Sequence, residues 1–393
     1  MIKCHVCEGK LSCIAGFPAF LQIASGCRPW KAQGNLAVCQ VCGTVQKPVT
    51  EAWLAEVDTI YADYEIYSQS GGVEQGAFDQ LAGAAQPRSA KLVDWLTRSG
   101  YIPPQGQLLD VGCGNGAFLR AFGAAYPDWA MTGLELNDRN RSVVEAVPGV
   151  KSLHVGSIES LPGQFNLITL IHVLEHIPSP ARFLHALKEK LLPGGVLLIE
   201  TPNLNTSPFD ILVAEHCTHF TASTLLKVIE QTPFTVIQLE EDYVPKELTV
   251  AIQHGKAAIA STAAPPKKDR DSDGVQNLHT LTTHLEYLQS LLDLASSVPG
   301  QVGIFGTSIA GTWLAESVPD KVAFFVDEDP NRIGRYHLNK LIVSPNGVKD
   351  GSKVLVPLPP EIAINLIHRL SHLGCEFLVP SSLNLKFHAQ INV

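Results

Sequence analysis

Three glycines, Gly112, Gly114 and Gly116, stand at alternate positions directly after an apolar run of strand length. Glycine permits a tight turn and lets a ligand approach the backbone closely. Asp110 lies at the end of this run, and Glu135 ends the next one along the chain. A carboxylate beside such a turn repels a diphosphate but attracts an ammonium or sulfonium group, and the second acid can accept hydrogen bonds from both ribose hydroxyls. The pattern predicts an S-adenosylmethionine site.

A glycine turn alone is a weak signal, because nicotinamide and flavin enzymes share it. The third glycine here follows the second too soon for the dinucleotide fingerprint, which favours the methyl donor. A second strand, glycine turn and helix occupy residues 301–311, and another strand ends at Asp327. Residues 301–330 could bind a nucleotide at a helix N-terminus or only pack against the core. A nicotinamide-dependent oxidoreductase and a non-catalytic binding scaffold therefore remain open.

Two C-x-x-C pairs near the start of the chain are typical of a metal site. Cys4 with Cys7 and Cys39 with Cys42 can place four thiolates around Zn²⁺. Such a closed shell leaves no open position, so we expect a structural role. A redox pair is the alternative, but it should occur once and beside a βαβ unit. Cys13 and Cys27 are expected to be small buried residues and not ligands.

Composition restricts the class of protein. The chain has 393 residues, which suits two or three domains, and a net charge of -9, which disfavours nucleic acid as a partner. No apolar run is long enough for a membrane helix, and the first residues lack the apolar core of a signal peptide. We therefore expect a cytoplasmic protein without membrane contact, as a monomer or homodimer, acting on a small molecule.

The elements that must position these residues follow in blocks. We predict a zinc-binding module over residues 1–60, a methyltransferase domain over 61–255, a linker and helix over 256–299, and a C-terminal domain over 300–393. Strand-like apolar runs alternate with helical patterns in the second and fourth blocks, as in parallel α/β sheets. The predicted fold class is α/β, with a Rossmann-like catalytic core, a small N-terminal zinc module and a C-terminal Rossmann-like domain.

Residues 105–200 resemble the class I S-adenosylmethionine-dependent methyltransferases. The glycine turn, the loop at residues 156–162, the strand at 165–176 and the turn and strand at 191–200 occur in that family's order. The resemblance implies that residues around the adenine and at the strand ends contact the donor. By position these are Leu136, Ser157, Ile158 and His172.

The order of domains resembles the zinc-containing sugar C-methyltransferases of deoxysugar biosynthesis. That resemblance implies a nucleotide-linked 4-keto-deoxyhexose as substrate, whose carbon next to the ketone loses a proton and attacks the methyl group. It implies His216 as the base, Glu215 as the residue that orients it or binds a sugar hydroxyl, and Tyr67 and His172 as residues facing the sugar. The family has a tyrosine three residues before the base, where this chain has Val213.

Segments of this type also resemble methyltransferases that act on polysaccharides or small metabolites without deprotonating carbon. O- or N-methylation of a sugar, a polysaccharide precursor or a secondary metabolite is therefore the alternative to C-methylation. In both cases His216 is expected in the acceptor pocket.

Overall fold

A computed structural model of the chain describes residues 2–30, 33–62, 70–74, 76–78, 85–254 and 270–381. Within these ranges, no helix combines the length and the apolar character that crossing a bilayer requires. The described chain forms three principal sheets, each in a different part of the sequence.

The N-terminal part is built from short strands around the cysteine pairs. Its elements are β1 (Leu11–Cys13), β2 (Gln22–Ala24), β3 (Arg28–Trp30), β4 (Ala37–Cys39), β5 (Val45–Gln46), helix α1 (Glu51–Ala62), and strands β6 (Gly76–Phe78) and β7 (Ala85–Pro87). β1, β4 and β5 pair antiparallel, and β2–β3 and β6–β7 form separate hairpins.

The central part is a seven-stranded α/β sheet. Its strands are β8 (Gln107–Val111), β9 (Ala130–Glu135), β10 (Val150–Val155), β11 (Phe165–Ile171), β12 (Leu191–Pro202), β14 (Phe234–Glu241) and β15 (Glu247–His254), with β13 (Thr218–His219) outside this sheet. Its helices are α2 (Arg88–Ser99), α3 (Ala117–Ala125), α4 (Arg141–Glu145), α5 (Pro180–Lys188) and α6 (Ala222–Ile229).

The strand order of this sheet is β10-β9-β8-β11-β12-β15-β14. Its first five strands pair in parallel, and β15 runs antiparallel to both of its neighbours. Strands such as β8 and β11 are almost continuously apolar and buried because helices cover both faces of the sheet. The strand order reverses between β8 and β11, and a ligand is expected at the carboxyl ends of strands beside such a switch point. The predicted Rossmann-like core is thus present.

The C-terminal part has helix α7 (Arg270–Ser297) followed by a second α/β sheet. Its elements are β16 (Val302–Phe305), α8 (Ile309–Ser317), β17 (Val322–Val326), β18 (Tyr336–His337), β19 (Lys340–Val343), β20 (Lys353–Leu355), α9 (Pro360–Leu370) and β21 (Glu376–Leu378). The order is β18-β19-β17-β16-β20-β21, with only β18 antiparallel. At Gly311 a side chain would collide with the Gly306 carbonyl, so glycine is required where α8 packs on the turn.

The three parts of the chain are joined by strand pairing and by a common hydrophobic cluster. β13, from the central part, pairs with β5 of the N-terminal sheet. One hydrophobic cluster joins Phe17 and Ile23 of the N-terminal part to Phe209 of the central part and Trp313 of α8. Because well-packed apolar clusters deform little, this cluster fixes the surfaces that face the carboxyl ends of the central strands.

Candidate active site

A cleft of about 640 Å³ opens at the carboxyl ends of β8, β9 and β11. Its floor is the glycine turn and the ends of these strands. Residues 25–27 of the N-terminal part form one wall, and residues 308–310, Arg332 and residues 357–359 of the C-terminal part form another. A pocket between rigid elements at a switch point is the expected place for a cofactor and a small substrate.

The predicted donor residues line one end of this cleft. Gly112 and Gly114 adopt positive φ angles of 66° and 56°, and the Gly114 N–H donates to Oε1 of Glu135 at 2.6 Å. The Leu136 N–H donates to Oε2 of the same carboxylate at 3.1 Å. Burial raises the pKa of Glu135, and these two backbone donors oppose the shift. The carboxylate is thus held at the cleft edge, with lone pairs left to accept ribose hydroxyls.

Three further predicted donor residues, Leu136, Ser157 and Ile158, line the cleft. The side chains of Leu136 and Ser157 are exposed, and that of Ile158 is buried. Their contact with an adenine stays a prediction.

Asp110 lies behind the glycine turn and not among the residues that line the cleft. It is 2% exposed, and its Oδ1 accepts a hydrogen bond from the Thr169 hydroxyl at 2.7 Å. Burial raises the pKa of this carboxyl to about 7. Its side chain points toward β11, so the direct contact with the donor that the sequence predicted does not follow from its position.

His172 directly follows β11, has a positive φ of 54° and lines the cleft. Its Nδ1 lies 3.1 Å from Oε1 of Glu175, and its Nε2 lies 3.4 Å from Oε1 of Glu247. Burial lowers the pKa of His172, but Glu247 and its other carboxylate neighbours outweigh burial and leave it well above the usual value. The surrounding carboxylates therefore favour the protonated form of His172 over the neutral ring.

The carboxylates near His172 surround a second cation. Arg88 Nε lies 3.0 Å from Oε1 of Glu200, and its guanidinium also reaches Oε1 of Glu247 at 3.5 Å. His172, Glu200 and Glu247 are close enough to share a metal ion. The guanidinium already stands beside both carboxylates, so we assign these residues to ion pairing.

His216 lines the cleft beside His172 and is 5% exposed. Its Nδ1 donates to Oδ1 of Asp210 at 2.6 Å, and the other oxygen of Asp210 accepts from Nδ1 of His219 at 2.5 Å. Burial lowers the pKa of His216, but the Asp210 carboxylate more than offsets it and the net shift is upward. With Nδ1 engaged, Nε2 is the nitrogen available to a ligand, which is the arrangement of a histidine general base.

Sequence reasoning missed Asp210. Nothing in the local pattern distinguishes this carboxylate, since it lies on a short 3-10 turn six residues before His216. Only the fold brings the two side chains together.

Glu215 points away from its predicted target. It is fully buried, is absent from the cleft lining, and accepts a hydrogen bond from the Ser25 N–H at 2.8 Å. Ala214 and Glu215 form a turn before His216, and there the Glu215 carboxylate contacts the N-terminal part while His216 lines the cleft. The structure therefore does not place Glu215 beside the His216 ring or in the cleft, where it was expected.

The N-terminal part holds the whole segment at residues 213–219. The Ala214 N–H donates to the Ile23 carbonyl at 2.9 Å, and the Lys47 N–H donates to the Cys217 carbonyl at 3.0 Å. The Lys47 ammonium bonds the Val213 carbonyl, and Trp53 Nε1 donates to the Ala214 carbonyl at 3.1 Å. The position of His216 therefore depends on the fold of the N-terminal part.

Tyr67, predicted to face the sugar, lies outside the described residues. Tyr61 does line the cleft, and its hydroxyl lies 3.0 Å from Nδ1 of His176, which also lines it. Burial and the neighbouring His216 lower the pKa of His176 to about 4. Glu175, His176 and His216 also converge closely enough for a metal ion. Each of these side chains already has hydrogen bonds within the protein. Glu175 contacts His172 and Thr201, His176 contacts Tyr61, and His216 contacts Asp210.

The four predicted metal ligands form one cluster. Sγ of Cys4 lies 3.7 Å from Sγ of Cys42, and Sγ of Cys7 lies 3.4 Å from Sγ of Cys39. A tetrahedral zinc site with Zn–S bonds of roughly 2.3 Å has sulfurs about 3.8 Å apart. The side chains therefore fit zinc.

The two remaining N-terminal cysteines are not buried as expected. Cys13 is exposed, and Cys27 is partly exposed and lines the cleft.

Residues 84–239 match the family model described as a methyltransferase domain. This part of the chain is similar to methyltransferase domains. The match covers most of the central sheet, the glycine turn, Glu135 and the Asp210–His216 pair, and it confirms the predicted class of catalytic core.

Curated relatives of this methyltransferase domain are named ubiquinone biosynthesis O-methyltransferases. The protein from Pseudomonas aeruginosa (strain LESB58) is 28% identical over 134 residues, 32% of this chain and 56% of the relative. The protein from Paracidovorax citrulli is 32% identical over 126 residues, 29% of this chain and 51% of the relative. The chain thus spans about half the length of the curated relatives it matches.

Among solved structures, the methyltransferase domain is similar to mitomycin 7-O-methyltransferase, with a TM-score of 0.37 and 18% identity over 42% of this chain and 53% of that one. It is also similar to an S-adenosylmethionine-dependent methyltransferase from Clostridium acetobutylicum, with a TM-score of 0.36 and 14% identity over 51% of this chain and 98% of that one.

Proposed function

We propose that the protein transfers a methyl group from S-adenosylmethionine to a small-molecule acceptor, with His216 as the base that removes the acceptor's proton. The observation that carries the proposal is the single cleft shared by two unlike groups. Glu135 stands at one end, anchored by two backbone N–H groups, and the Asp210–His216 pair stands at the other.

The donor site follows from the first group. Glu135 accepts the ribose hydroxyls, the glycine turn lets the amino acid part approach the backbone, and Leu136, Ser157 and Ile158 surround the adenine. S-adenosylmethionine, when bound, supplies an electrophilic methyl group. His172 and Arg88 provide positive charge, balanced by Glu200 and Glu247, below the acceptor part of the cleft.

The proton transfer follows from the second group. Asp210 holds Nδ1 of His216, so Nε2 accepts the proton from the acceptor, and the carboxylate stabilises the imidazolium that forms. Neutral His176, held by Tyr61, contacts the His216 ring edge-on at a centroid distance of 4.5 Å and restricts its rotation. Enclosure by all three parts of the chain limits the access of water.

For the acceptor we propose a nucleotide-linked 4-keto-deoxysugar, methylated at carbon. The support is the resemblance in domain order together with the wall at residues 308–310, where the first turn of α8 faces the cleft. Backbone N–H groups at a helix N-terminus suit a phosphate, and Arg332 lies in the same wall. In this proposal the C-terminal part recognises the carrier nucleotide.

A second candidate is O-methylation of a hydroxyl group. The names of the curated relatives favour it, and the Asp210–His216 pair can deprotonate a hydroxyl as well as an activated carbon. The two candidates share the donor site and the base and differ in the acceptor.

For the cysteine cluster we propose a structural zinc ion, held by Cys4, Cys7, Cys39 and Cys42. The support is the fit of the sulfur separations and the absence of any open ligand position in a four-thiolate shell.

The proposal is tested by incubating the protein with S-adenosylmethionine and a panel of keto sugar nucleotides, hydroxylated sugars and phenols. Mass spectrometry should find one acceptor that gains a methyl group, and His216→Asn should abolish the gain while S-adenosylhomocysteine still binds. A keto sugar nucleotide incubated in heavy water with S-adenosylhomocysteine separates the candidates, because only carbon methylation requires deuterium uptake beside the ketone. Methyl gain that persists in His216→Asn would refute the assigned base.

A further inference from the structure

Three arginine or lysine side chains line the cleft, namely Arg88, Lys246 and Arg332. Two of them are neutralised by carboxylates. Arg88 lies against Glu200, and Arg332 NH1 lies 3.2 Å from Oδ2 of Asp327. Lys246 differs, because its ammonium forms no ion pair or hydrogen bond with any residue in the described ranges.

The backbone holds Lys246 in one conformation. It has a positive φ of 73°, which lysine rarely adopts. The Lys246 N–H donates to Oδ1 of Asp242 at 3.0 Å, and the Lys246 carbonyl accepts from the Asn203 N–H at 2.8 Å. The Thr206 hydroxyl fixes Asp242 in turn, at 2.9 Å. Strained residues persist where the surroundings over-determine them, and they cluster at functional sites.

The surroundings of this ammonium disfavour its charged form. Burial lowers its pKa, the adjacent Glu247 carboxylate raises it, Arg88 lowers it, and the net shift is downward. Glu247 is itself engaged by Arg88 and His172. An ammonium in this position is stabilised when an anion enters the cleft.

We propose that Lys246 binds the acceptor oxygen that becomes negatively charged when His216 removes the proton. This inference rests on the proposed function and narrows its substrate class to acceptors whose deprotonation leaves an oxyanion, namely the enolate of a ketone or a phenolate. The acceptor proton moves to Nε2 of His216, and its electron pair is left on the oxyanion facing Lys246. The nucleophilic atom then bonds the methyl carbon, and the electron pair of the broken S–CH₃ bond remains on sulfur, so no further reactant is needed.

Lys246 lines the same cleft as His216. A positively charged side chain in the cleft of the base can supply the partner that a developing oxyanion requires.

The test uses 4-nitrophenol, whose phenolate absorbs visible light, as a probe for oxyanion binding to the full-length protein. Wild type, Lys246→Met, Lys246→Arg and the surface control Lys349→Met are titrated with the probe across pH, with and without S-adenosylhomocysteine. Methionine keeps the Cβ and the length of the side chain, and melting temperatures report any loss of fold.

In wild type, Lys246→Arg and the control, the bound probe should ionise at lower pH than in Lys246→Met. These three proteins should also bind the phenolate at least about tenfold more tightly than Lys246→Met, because one charge-assisted hydrogen bond contributes about that much affinity. Equal phenolate affinity in wild type and Lys246→Met, or no binding to wild type, would overturn the proposal. The affinity for S-adenosylhomocysteine, measured by calorimetry, should be the same in every variant. If wild type does not bind S-adenosylhomocysteine, the proposed function is wrong, and the result does not concern Lys246. Deuterium exchange of a keto sugar nucleotide then distinguishes the enolate from the phenolate.

Discussion

Oδ1 of Asp210 accepts a hydrogen bond from Nδ1 of His216 at 2.6 Å, and both residues line the cleft. The second oxygen of Asp210 accepts from His219, which is fully buried. One carboxylate thus fixes the tautomer and the orientation of His216. The proposed role of His216 as a base depends on its hydrogen bond to Asp210, because a buried imidazole without this bond would be a weaker proton acceptor.

We predict that Asp210→Asn lowers kcat by about 100-fold, the smaller end of what general base catalysis contributes. The same change should move the acid limb of the pH–rate profile to lower pH. In wild type the Asp210 carboxylate raises the pKa of His216, and its removal lowers that pKa because burial is then opposed only by the weaker effects of Glu175 and Glu215. Activity needs neutral His216, so it is lost as pH falls through this pKa. Asp320→Asn, on the surface, is the control, and an unshifted acid limb in Asp210→Asn would contradict the assignment.

Glu135→Gln should weaken S-adenosylhomocysteine binding by about 10- to 100-fold, the value of a hydrogen bond to a charged group. Each carboxylate oxygen of Glu135 accepts one backbone N–H, from Gly114 or from Leu136. In the glutamine variant one of these oxygens becomes an NH₂ group, which cannot accept that hydrogen bond. Isothermal titration calorimetry measures the affinity, and Glu189→Gln, an exposed glutamate, serves as the matched control. Unchanged affinity in Glu135→Gln would remove this carboxylate from the donor site.

Metal analysis of the purified protein should find one zinc ion per chain, and Cys42→Ser should lose it. Because β5 pairs with β13, zinc loss should lower the melting temperature and reduce methyl transfer more than S-adenosylhomocysteine affinity. Cys13→Ser, which removes an exposed thiol, should retain the metal. A protein free of zinc with all cysteines reduced would contradict the proposed zinc site.

Lys47 makes stability depend on pH in a direction that can be measured. It is 2% exposed, and burial lowers its pKa from 10.5 to about 7. Above pH of about 7 the folded protein has released this proton while the unfolded chain still holds it, so the free energy of unfolding rises with pH. Urea unfolding should show this rise, at roughly 1 kcal/mol per pH unit, as the difference between wild type and Lys47→Met. A difference that stays constant or falls would contradict it.

The sequence predicted the residues around the glycine turn more completely than those around His216. Gly112, Gly114 and Glu135 are set by a local strand–turn–helix pattern, so their spacing alone predicted that they would meet, and they do line one cleft. Asp210, Tyr61 and Lys246 could not be found in this way, because each reaches the cleft only through long-range packing. Glu215 was expected beside the His216 ring because it is adjacent in sequence, but the turn at residues 214–215 brings its carboxylate to the Ser25 N–H instead. Asp110 ends the correct strand, but its side chain faces β11.

The pairing of β13 with β5 also has no signal in the sequence. The boundary expected near residue 60 separates two segments that form one sheet and share a hydrophobic cluster. Short strands such as these carry little periodicity, and their partners are chosen by the tertiary fold.

Calorimetry of the protein with S-adenosylhomocysteine and, separately, with NAD decides between a methyl-donor site and a nicotinamide site. We expect one S-adenosylhomocysteine molecule bound per chain, an affinity weakened by about 10- to 100-fold in Glu135→Gln, and no heat from NAD. Tight NAD binding with no heat from S-adenosylhomocysteine would contradict the methyl-donor site and assign the chain to the nicotinamide enzymes instead.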